Sequence, residues 1–387
     1  MPRVLPFHGV RFDWRRVALK EALCPPYDVI PDAMARRLRA GRHNAIHLEL
    51  PAGGKRKYEA AAKTWRRWLD DGVLIRDLIP SLYVIEQSFE IGGKAYRRTG
   101  FLGSLRLDEG LRQVTPHEKT FSKPKQDRWK LLDAVKAQIS PIFALYEDPG
   151  SRVRKVLARV TSRPAAAEGR APDGVTVKVW RAIESDALAG IERAFATKRL
   201  LIADGHHRLE VSKSYGCRGV MCYLCAEEDP GLRVLPTHRI VAEPAMALEK
   251  AAVTCRLKPV SSLRALEAAI GKQASPFSFG IVSKSGRSWP GRYVLAIPTE
   301  ASARGIRSGL GVEWLARRLF GEQDRLTFTH DSREAASMAD GSGAAFLVKP
   351  VEVAAIRKAV RRIGLLPQKS TYFYPKVEAG IVFHEIR

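Results

Sequence analysis

The segment that most constrains the fold lies at residues 82–107. LYVIEQSFEI (82–91) and KAYRRTGFLGSLRL (94–107) are two strand-like runs joined by Gly92-Gly93. Paired glycines supply the positive φ angles of a tight turn, so the segment is predicted to form one long antiparallel hairpin. Upstream, Tyr58, Ala61, Ala62, Trp65, Trp68 and Leu69 recur at helical spacing, which makes the two tryptophans candidate core residues of a helix. The first 105 residues are thus expected to form a mixed α and β region.

Further along, Trp129, Leu131, Leu132, Val135 and Ile139 give residues 126–139 the pattern of an amphipathic helix, followed by a strand in SPIFALY. A helix is expected over 151–160. The composition of 162–174 (SRPAAAEGRAPDG) predicts a loop. VTVKVW follows as a strand, and Ser185-Asp186 can cap a helix reaching about Thr197. RLLIAD (199–204) is a short apolar strand that runs straight into Gly205-His206-His207-Arg208 and another helix. Beyond about residue 240, FSFGIVSKSGRSWPGRYVLAIP (277–298) predicts a second hairpin. From 326 the order is strand (LTFTH), helix (SREAASMA), strand (AAFLVKP) and helix (EVAAIRKAVRRIG), with a last strand pair around TYFYPKVEAGIVF. The expected class is α+β (mixed α/β), in three regions: 1–105, 106–240 and 241–387.

Charge narrows the partners. Lys and Arg number 65 against 41 Asp and Glu, a net charge of +24 over 387 residues. The excess divides almost evenly over the three regions (+8, +7 and +9), with no basic arm or tail. A dedicated nucleic-acid binder concentrates such charge on one face or motif, so nucleic acid is the less favoured partner. An Arg-rich solvated surface still attracts anionic small molecules such as nucleotides. No run approaches 18 apolar residues, so no membrane span is expected. Pro2, Pro6 and Asp13 interrupt the start of the chain where a signal peptide needs an apolar stretch. Five cysteines, an odd number, suit free thiols in a reducing cytoplasm.

Asp204-Gly205-His206-His207-Arg208 carries the sharpest chemical signal. A turn at a strand's C-terminal end that opens into a helix offers backbone N–H groups and the positive end of a helix dipole. Arg208 in the first turn adds a planar fork suited to phosphate oxygens. Asp204 beside such a site makes sense as a ligand of the divalent cation that accompanies phosphates, Mg²⁺. The alternative is a strand–turn–helix whose Asp caps the helix, with solvated histidines. A zinc site or metal-dependent hydrolase built on His206, His207 and Asp204 is weaker, because adjacent helical positions diverge by about 100°. Further ligands would have to come from His117 or His238, without any ligand spacing that ties them in.

Thr115-Pro116-His117-Glu118-Lys119-Thr120 forms a second cluster. Glu118 sits among Lys119, Lys123, Lys125 and Arg128, where a carboxylate could act as general base toward a substrate hydroxyl or serve simply as a salt-bridged cap. Lys123 through Arg128 could contact phosphate or start a solvated helix. Ala52-Gly53-Gly54-Lys55-Arg56 lacks the spacing and the Ser/Thr of a P-loop. Cys222 and Cys225 have no second pair at zinc spacing and are expected to be buried thiols. In 366–376, Lys369 and the neighbouring hydroxyls either reach a functional site or belong to a closing strand, on which Tyr372, Tyr374 and Lys376 would share a face.

The chain resembles, along its whole length, the prokaryotic family catalogued as domain of unknown function 1015. The matching stretches are CPPYDVI (24–30), NAIHLELP (44–51), PHEKTFSKPKQDR (116–128), SPIFALYE (140–147), LIADGHHR (201–208), LPTHRIV (235–241), LTFTHD (326–331) and LPQKSTYFYPKVEAGIVF (366–383). Cys24 and Leu366 depart from the family's more usual Ala and Met. Within residues 112–240 the chain is also similar to the nucleotide-dependent free-serine kinases of the ParB/sulfiredoxin fold. That resemblance implies a ParB/sulfiredoxin-like core flanked by N- and C-terminal mixed α/β regions. It implies Glu118 as catalytic base, with Asp204 and His207 also in the catalytic group and Asp204 at the metal or substrate. Gly205, His206, His207 and Arg208 would hold nucleotide phosphates, helped by Lys123 and Arg128, with His117, His238 and Lys369 in supporting roles. The segment 148–198 is an insertion relative to those kinases, which bears on the substrate. The expected activity is a cytoplasmic kinase transferring phosphate from ATP or ADP to a small hydroxylated metabolite such as free serine. The alternative is a ParB-like nucleotide switch that contacts nucleic acid or a protein.

Overall fold

The computed structural model describes residues 2–386 apart from 109–110, 112, 119–121, 285–288, 322–323 and 342; for 122 and 123 only the backbone is described. The chain forms two compact units. One comprises 1–116, 120–232 and 375–387; the other comprises 117–119 and 233–374.

In the first unit the hairpin forms as its sequence predicts. Leu82–Ile91 and Lys94–Arg106 pair antiparallel around Gly92 (φ 59°) and Gly93 (φ 79°). The hairpin lies inside a nine-stranded mixed sheet. In spatial order its strands are Val114–Thr115, Leu200–Asp204, Ile142–Tyr146, Gly219–Ala226, Lys94–Arg106, Leu82–Ile91, Thr176–Ala182 and Ala167–Arg170; Val4–Leu5 also pairs with Lys94–Arg106. The boundary expected at 105/106 therefore falls within a strand, and the first two expected regions share one sheet.

Apolar residues from one set of alternate strand positions, among them Val84, Phe101, Ala144, Tyr146 and Ile202, pack with the helices Arg152–Thr161 and Ser185–Phe195. Phe195 meets Phe101 and Tyr146 edge-on at 5.6 and 4.8 Å between ring centres, contacts worth about 0.5–1.5 kcal/mol each beyond their burial. A second core gathers Trp65 and Trp68 of the helix Lys57–Asp70 with Phe12, Leu131, Val135 and Phe383.

The second unit holds a six-stranded sheet whose neighbours are all antiparallel: Cys255–Val260, Tyr293–Pro298, Phe279–Ser283, Ala344–Leu347, His238–Val241 and Leu326–Thr329. Successive residues feed two different cores. Ile281, Val294 and Phe346 belong to one, and Val282, Leu295 and Leu347 to the other. Both faces of the sheet are thus covered, which explains why these strands are continuously apolar.

Several expectations need correction. The helix predicted at 126–139 spans Ser122–Val135, and Trp129 is 41% exposed although Leu131, Leu132 and Val135 are buried. Ala167–Arg170, expected within a loop, is a strand, because its main chain pairs with 176–179 whatever its side chains. The C-terminal strands do not pair with each other. Tyr372–Tyr374 joins Arg233–Leu235 in the second unit, whereas Phe383–Glu385 joins Gly9–Phe12 and Ala137–Gln138 in the first. The hairpin over 277–298 forms, with residues 285–288 outside the described set. All five cysteines are free and buried. Among the described residues, no helix is long and apolar enough to cross a membrane.

Candidate functional site

The strand Leu200–Asp204 ends at Asp204, after a register irregularity beyond Ile202. Gly205 follows with φ 84°, and a Cβ there would lie 3.0 Å from both Cα and Cγ2 of Ile142. Only glycine meets both conditions without strain, and the turn delivers the chain into the helix His206–Ser214. Arg208, in the first turn, reaches back to donate from Nη2 to Asp204 Oδ2 at 2.6 Å, while Nη1 donates to the Pro141 carbonyl. The other carboxylate oxygen, Oδ1, accepts from Lys376 Nζ.

Lys376 is held there from both sides. Gln87 Nε2 donates to the Lys376 carbonyl at 2.8 Å, and Arg98 Nη2 donates to the Pro375 carbonyl at 2.7 Å. Gln87 and Arg98 stand opposite each other in the hairpin and are joined by a 2.5 Å hydrogen bond. The Arg98 guanidinium is fully buried, over the rings of Phe143 and Tyr223. Burial alone would raise the Asp204 carboxyl, but the charges of Lys376 and Arg208 outweigh it and hold the group well below the usual carboxylate range. His206 is buried beside Asp204 and adds to that effect, whereas His207 is half-buried in the same turn.

Arg128 belongs to the same unit. Its Nη1 donates to the Glu49 carbonyl at 2.9 Å, Nη2 and Nε engage Asp127, and the guanidinium covers the Tyr27 ring at 4.1 Å. Asp127 also accepts from Lys57 and Tyr58. Burial opposes ionisation of Asp127, yet Arg128 and these donors bring its pKa down to about 2. Arg128 and Arg208 line one cavity with Glu49 and Ser140. The Lys123 side chain lies outside the described residues.

The second unit assembles the other predicted group. Glu118 Oε1 accepts from the amides of Ser370 (3.1 Å) and Thr371 (3.3 Å), which fixes the carboxylate. The Thr371 hydroxyl lies 3.3 Å from Glu118 Oε1 and 2.8 Å from Nε2 of the buried His117, linking the two side chains. Arg239 is buried and donates to the carbonyls of Thr237 and Lys369; burial lowers its pKa to about 10 against the opposing charge of Glu118. Lys369 itself has a left-handed backbone, φ 51°. His238 Nδ1 accepts from the Val348 amide, and burial together with Arg239 lowers its pKa to about 4, so the ring is neutral at pH 7. His238 therefore performs as a structural acceptor.

The expected cation at Asp204 does not fit this arrangement. Both carboxylate oxygens are already engaged by cationic side chains, and no cluster of three or more His, Cys, Asp or Glu side chains forms a metal site among the described residues. Sequence reasoning also missed Lys376, Gln87 and Arg98 as partners of the turn, and Tyr27 and Glu49 beside Arg128. Lys376 was visible only as a member of an aromatic, polar C-terminal run.

These features define a mixed α/β protein built around a strand–glycine–helix turn with a buried Asp–Lys–Arg cluster. The chain belongs to the family described as Protein of unknown function (DUF1015), whose pattern matches residues 4–306. No functionally curated protein matches the sequence significantly. Among solved structures, a conserved hypothetical protein from Pyrococcus furiosus is similar at 14% identity and TM-score 0.37, over 72% of this chain and 92% of that one. C-terminally truncated SbnI from Staphylococcus aureus is similar at 10% identity and TM-score 0.39, over 71% and 84%. A free serine kinase in complex with AMP is similar at 13% identity and TM-score 0.38, over 71% and 86%. At these scores the three similarities carry no functional argument.

Proposed function

We propose that the protein is a cytoplasmic nucleotide-dependent phosphotransferase with a ParB/sulfiredoxin-like core, acting on a small hydroxylated metabolite, with free serine as first candidate. The observation that carries this reading is the cluster at the start of the helix His206–Ser214. There a left-handed glycine leads into the helix's positive end, and two cations, the largely buried Arg208 and the buried Lys376, converge on one carboxylate. Phosphoryl transfer asks a protein chiefly for positioning and charge stabilisation. Arg208 and Lys376 can exchange part of their bonding from Asp204 to the oxygens of a phosphate, while the first-turn amides of His206, His207 and Arg208 add neutral donors. Asp204 then acts as the internal counter-ion that keeps the two cations in place when no phosphate is bound, and no step runs through a resident metal ion. Glu118, implied as base by the sequence resemblance, would take the proton of the acceptor hydroxyl; the ordered Oε1 favours a carboxylate with a fixed orientation.

The test is incubation of the purified protein with ATP or ADP, Mg²⁺ and a pool of small hydroxylated metabolites including serine, followed by mass spectrometry. A phosphorylated product that disappears in both Glu118→Ala and Arg208→Lys supports the reading. Nucleotide binding without any product would make the protein a nucleotide switch instead, and turnover that survives Glu118→Ala removes the base from Glu118.

A further inference from the structure

The helix Ser122–Val135 presents two different faces. Arg128, Leu131, Leu132 and Val135 are buried, whereas Lys125, Gln126, Trp129 and Lys130 share the other side at i, i+3 and i+4 spacings. Trp129 is 41% exposed, and among the described residues it is the one phenylalanine, tyrosine or tryptophan that stands exposed. A scattered aliphatic residue at a surface needs no explanation, but an indole lining a groove does.

That groove has a volume of about 310 Å³ and lies between this helix and His206–Ser214, which contributes Glu210, Val211 and Ser214 to it. Its size suits a small molecule. Tyr215 braces the indole, with ring centres 5.6 Å apart and planes inclined at 57°. Tyr215 is itself fixed, since its hydroxyl donates to Asp133 Oδ1 at 2.8 Å and accepts from Lys136. The indole is therefore oriented before any ligand arrives, and its π-surface is a platform on which another flat ring can stack.

The polar groups around it match a nucleoside. Lys125 Nζ donates to Glu210 Oε2 at 3.0 Å, and the two side chains are 38% and 44% exposed. An exposed pair of this kind contributes little and can reopen. Glu210 can then accept from ribose hydroxyls, while the Gln126 amide offers both a donor and an acceptor to a base edge. The groove also lies where a nucleoside would have to be. His207, Glu210 and Ser214 follow one stripe of the helix His206–Ser214, so the groove begins about one turn beyond the amides of the phosphate turn. A ribose bridges a gap of that order between a base and its phosphates.

We propose that this groove holds the nucleoside of a purine nucleotide, with the base stacked on Trp129 and the ribose hydroxyls at Glu210. The inference rests on the phosphotransferase reading, in which Arg208 and the first-turn amides hold the phosphates.

The experiment is titration calorimetry on the full chain with ADP, with pyrophosphate as the counterpart lacking a nucleoside and adenosine as the one lacking phosphates. ADP should bind at least fivefold more tightly than pyrophosphate. Trp129→Ala should weaken ADP at least fivefold and leave pyrophosphate within twofold, and Trp129→Phe, which keeps a ring, should recover most of the loss. ADP should also quench tryptophan emission in the parent, and Trp129→Phe should remove that quench while still binding ADP. Unchanged ADP affinity in Trp129→Ala, or a quench that persists in Trp129→Phe, would each overturn the proposal. Should Trp129→Ala fail to fold, the quench in Trp129→Phe decides. ADP binding that is lost in Arg208→Lys but indifferent to Trp129→Ala overturns this site alone. Adenosine bound through Trp129 by a protein that binds no pyrophosphate, and ADP no more tightly than adenosine, overturns the phosphotransferase reading alone. Absence of binding by both ADP and adenosine overturns both.

Discussion

Replacing Lys376 by Met tests the electrostatics of the turn directly. The substitution keeps the length and packing of the aliphatic stem and removes one of the two cations on Asp204. Breaking a fully buried pair from one side costs about 3–5 kcal/mol. Here the Asp204 side chain is 15% exposed and Arg208 stays on Oδ2, so about 2–3 kcal/mol at pH 7 is expected. The loss must depend on pH in a definite direction. Because the folded carboxyl is held well below its unfolded value near 3.9, its stabilisation is present above about pH 4 and disappears as pH falls through the folded value. The difference between parent and variant should therefore be largest near neutrality and shrink below about pH 4. Urea unfolding across pH measures it, and hydrogen exchange of residues 200–214 assigns the change to the first unit. In an Asp204→Asn background the Lys376→Met cost should largely vanish. A pH-independent loss, or the same cost in the Asn background, would refute the assigned pairing.

Gly205→Ala should lower stability by about 1–3 kcal/mol and reduce exchange protection of the following helix, since φ is 84° and a Cβ would sit tightly, 3.0 Å from Ile142; an unchanged melting temperature would contradict this. His238, whose pKa is lowered from 6.5 to about 4, favours the folded state while neutral, so its contribution fades as pH falls from about 6.5 to about 4 and then levels off. His238→Phe should flatten that part of the stability profile while costing about 1–2 kcal/mol at pH 7 for the orphaned Val348 amide, which calorimetric melts across pH would detect. The five buried thiols should resist a bulky maleimide in the native state and react together on unfolding; fast native labelling of Cys222 or Cys225 would contradict their burial.

Local devices were legible in the sequence because each is contained in a few neighbouring residues. The Gly92-Gly93 hairpin, the Lys57–Asp70 helix with its two core tryptophans and the Leu200–Asp204 strand running into a glycine turn all rest on periodicity or on φ. The same logic failed for Ala167–Arg170, whose small and polar residues form a strand because a neighbouring strand offers its backbone. It failed again for the last strands, which share a short sequence yet join different sheets.

The candidate site divides along the same line. Sequence alone determined the turn, because Gly205's conformation and Arg208's place in the first helical turn follow from adjacent residues. The tertiary structure alone decided which groups face Asp204. Lys376 arrives from 172 positions away, presented by a cross-strand pair, Gln87 and Arg98, that no local pattern links to it. It likewise brought Thr371 to Glu118 across 253 positions. A residue's conformation depends on its immediate neighbours, but the partner of a buried charge depends on which strands lie side by side, and that is settled only when the chain has folded.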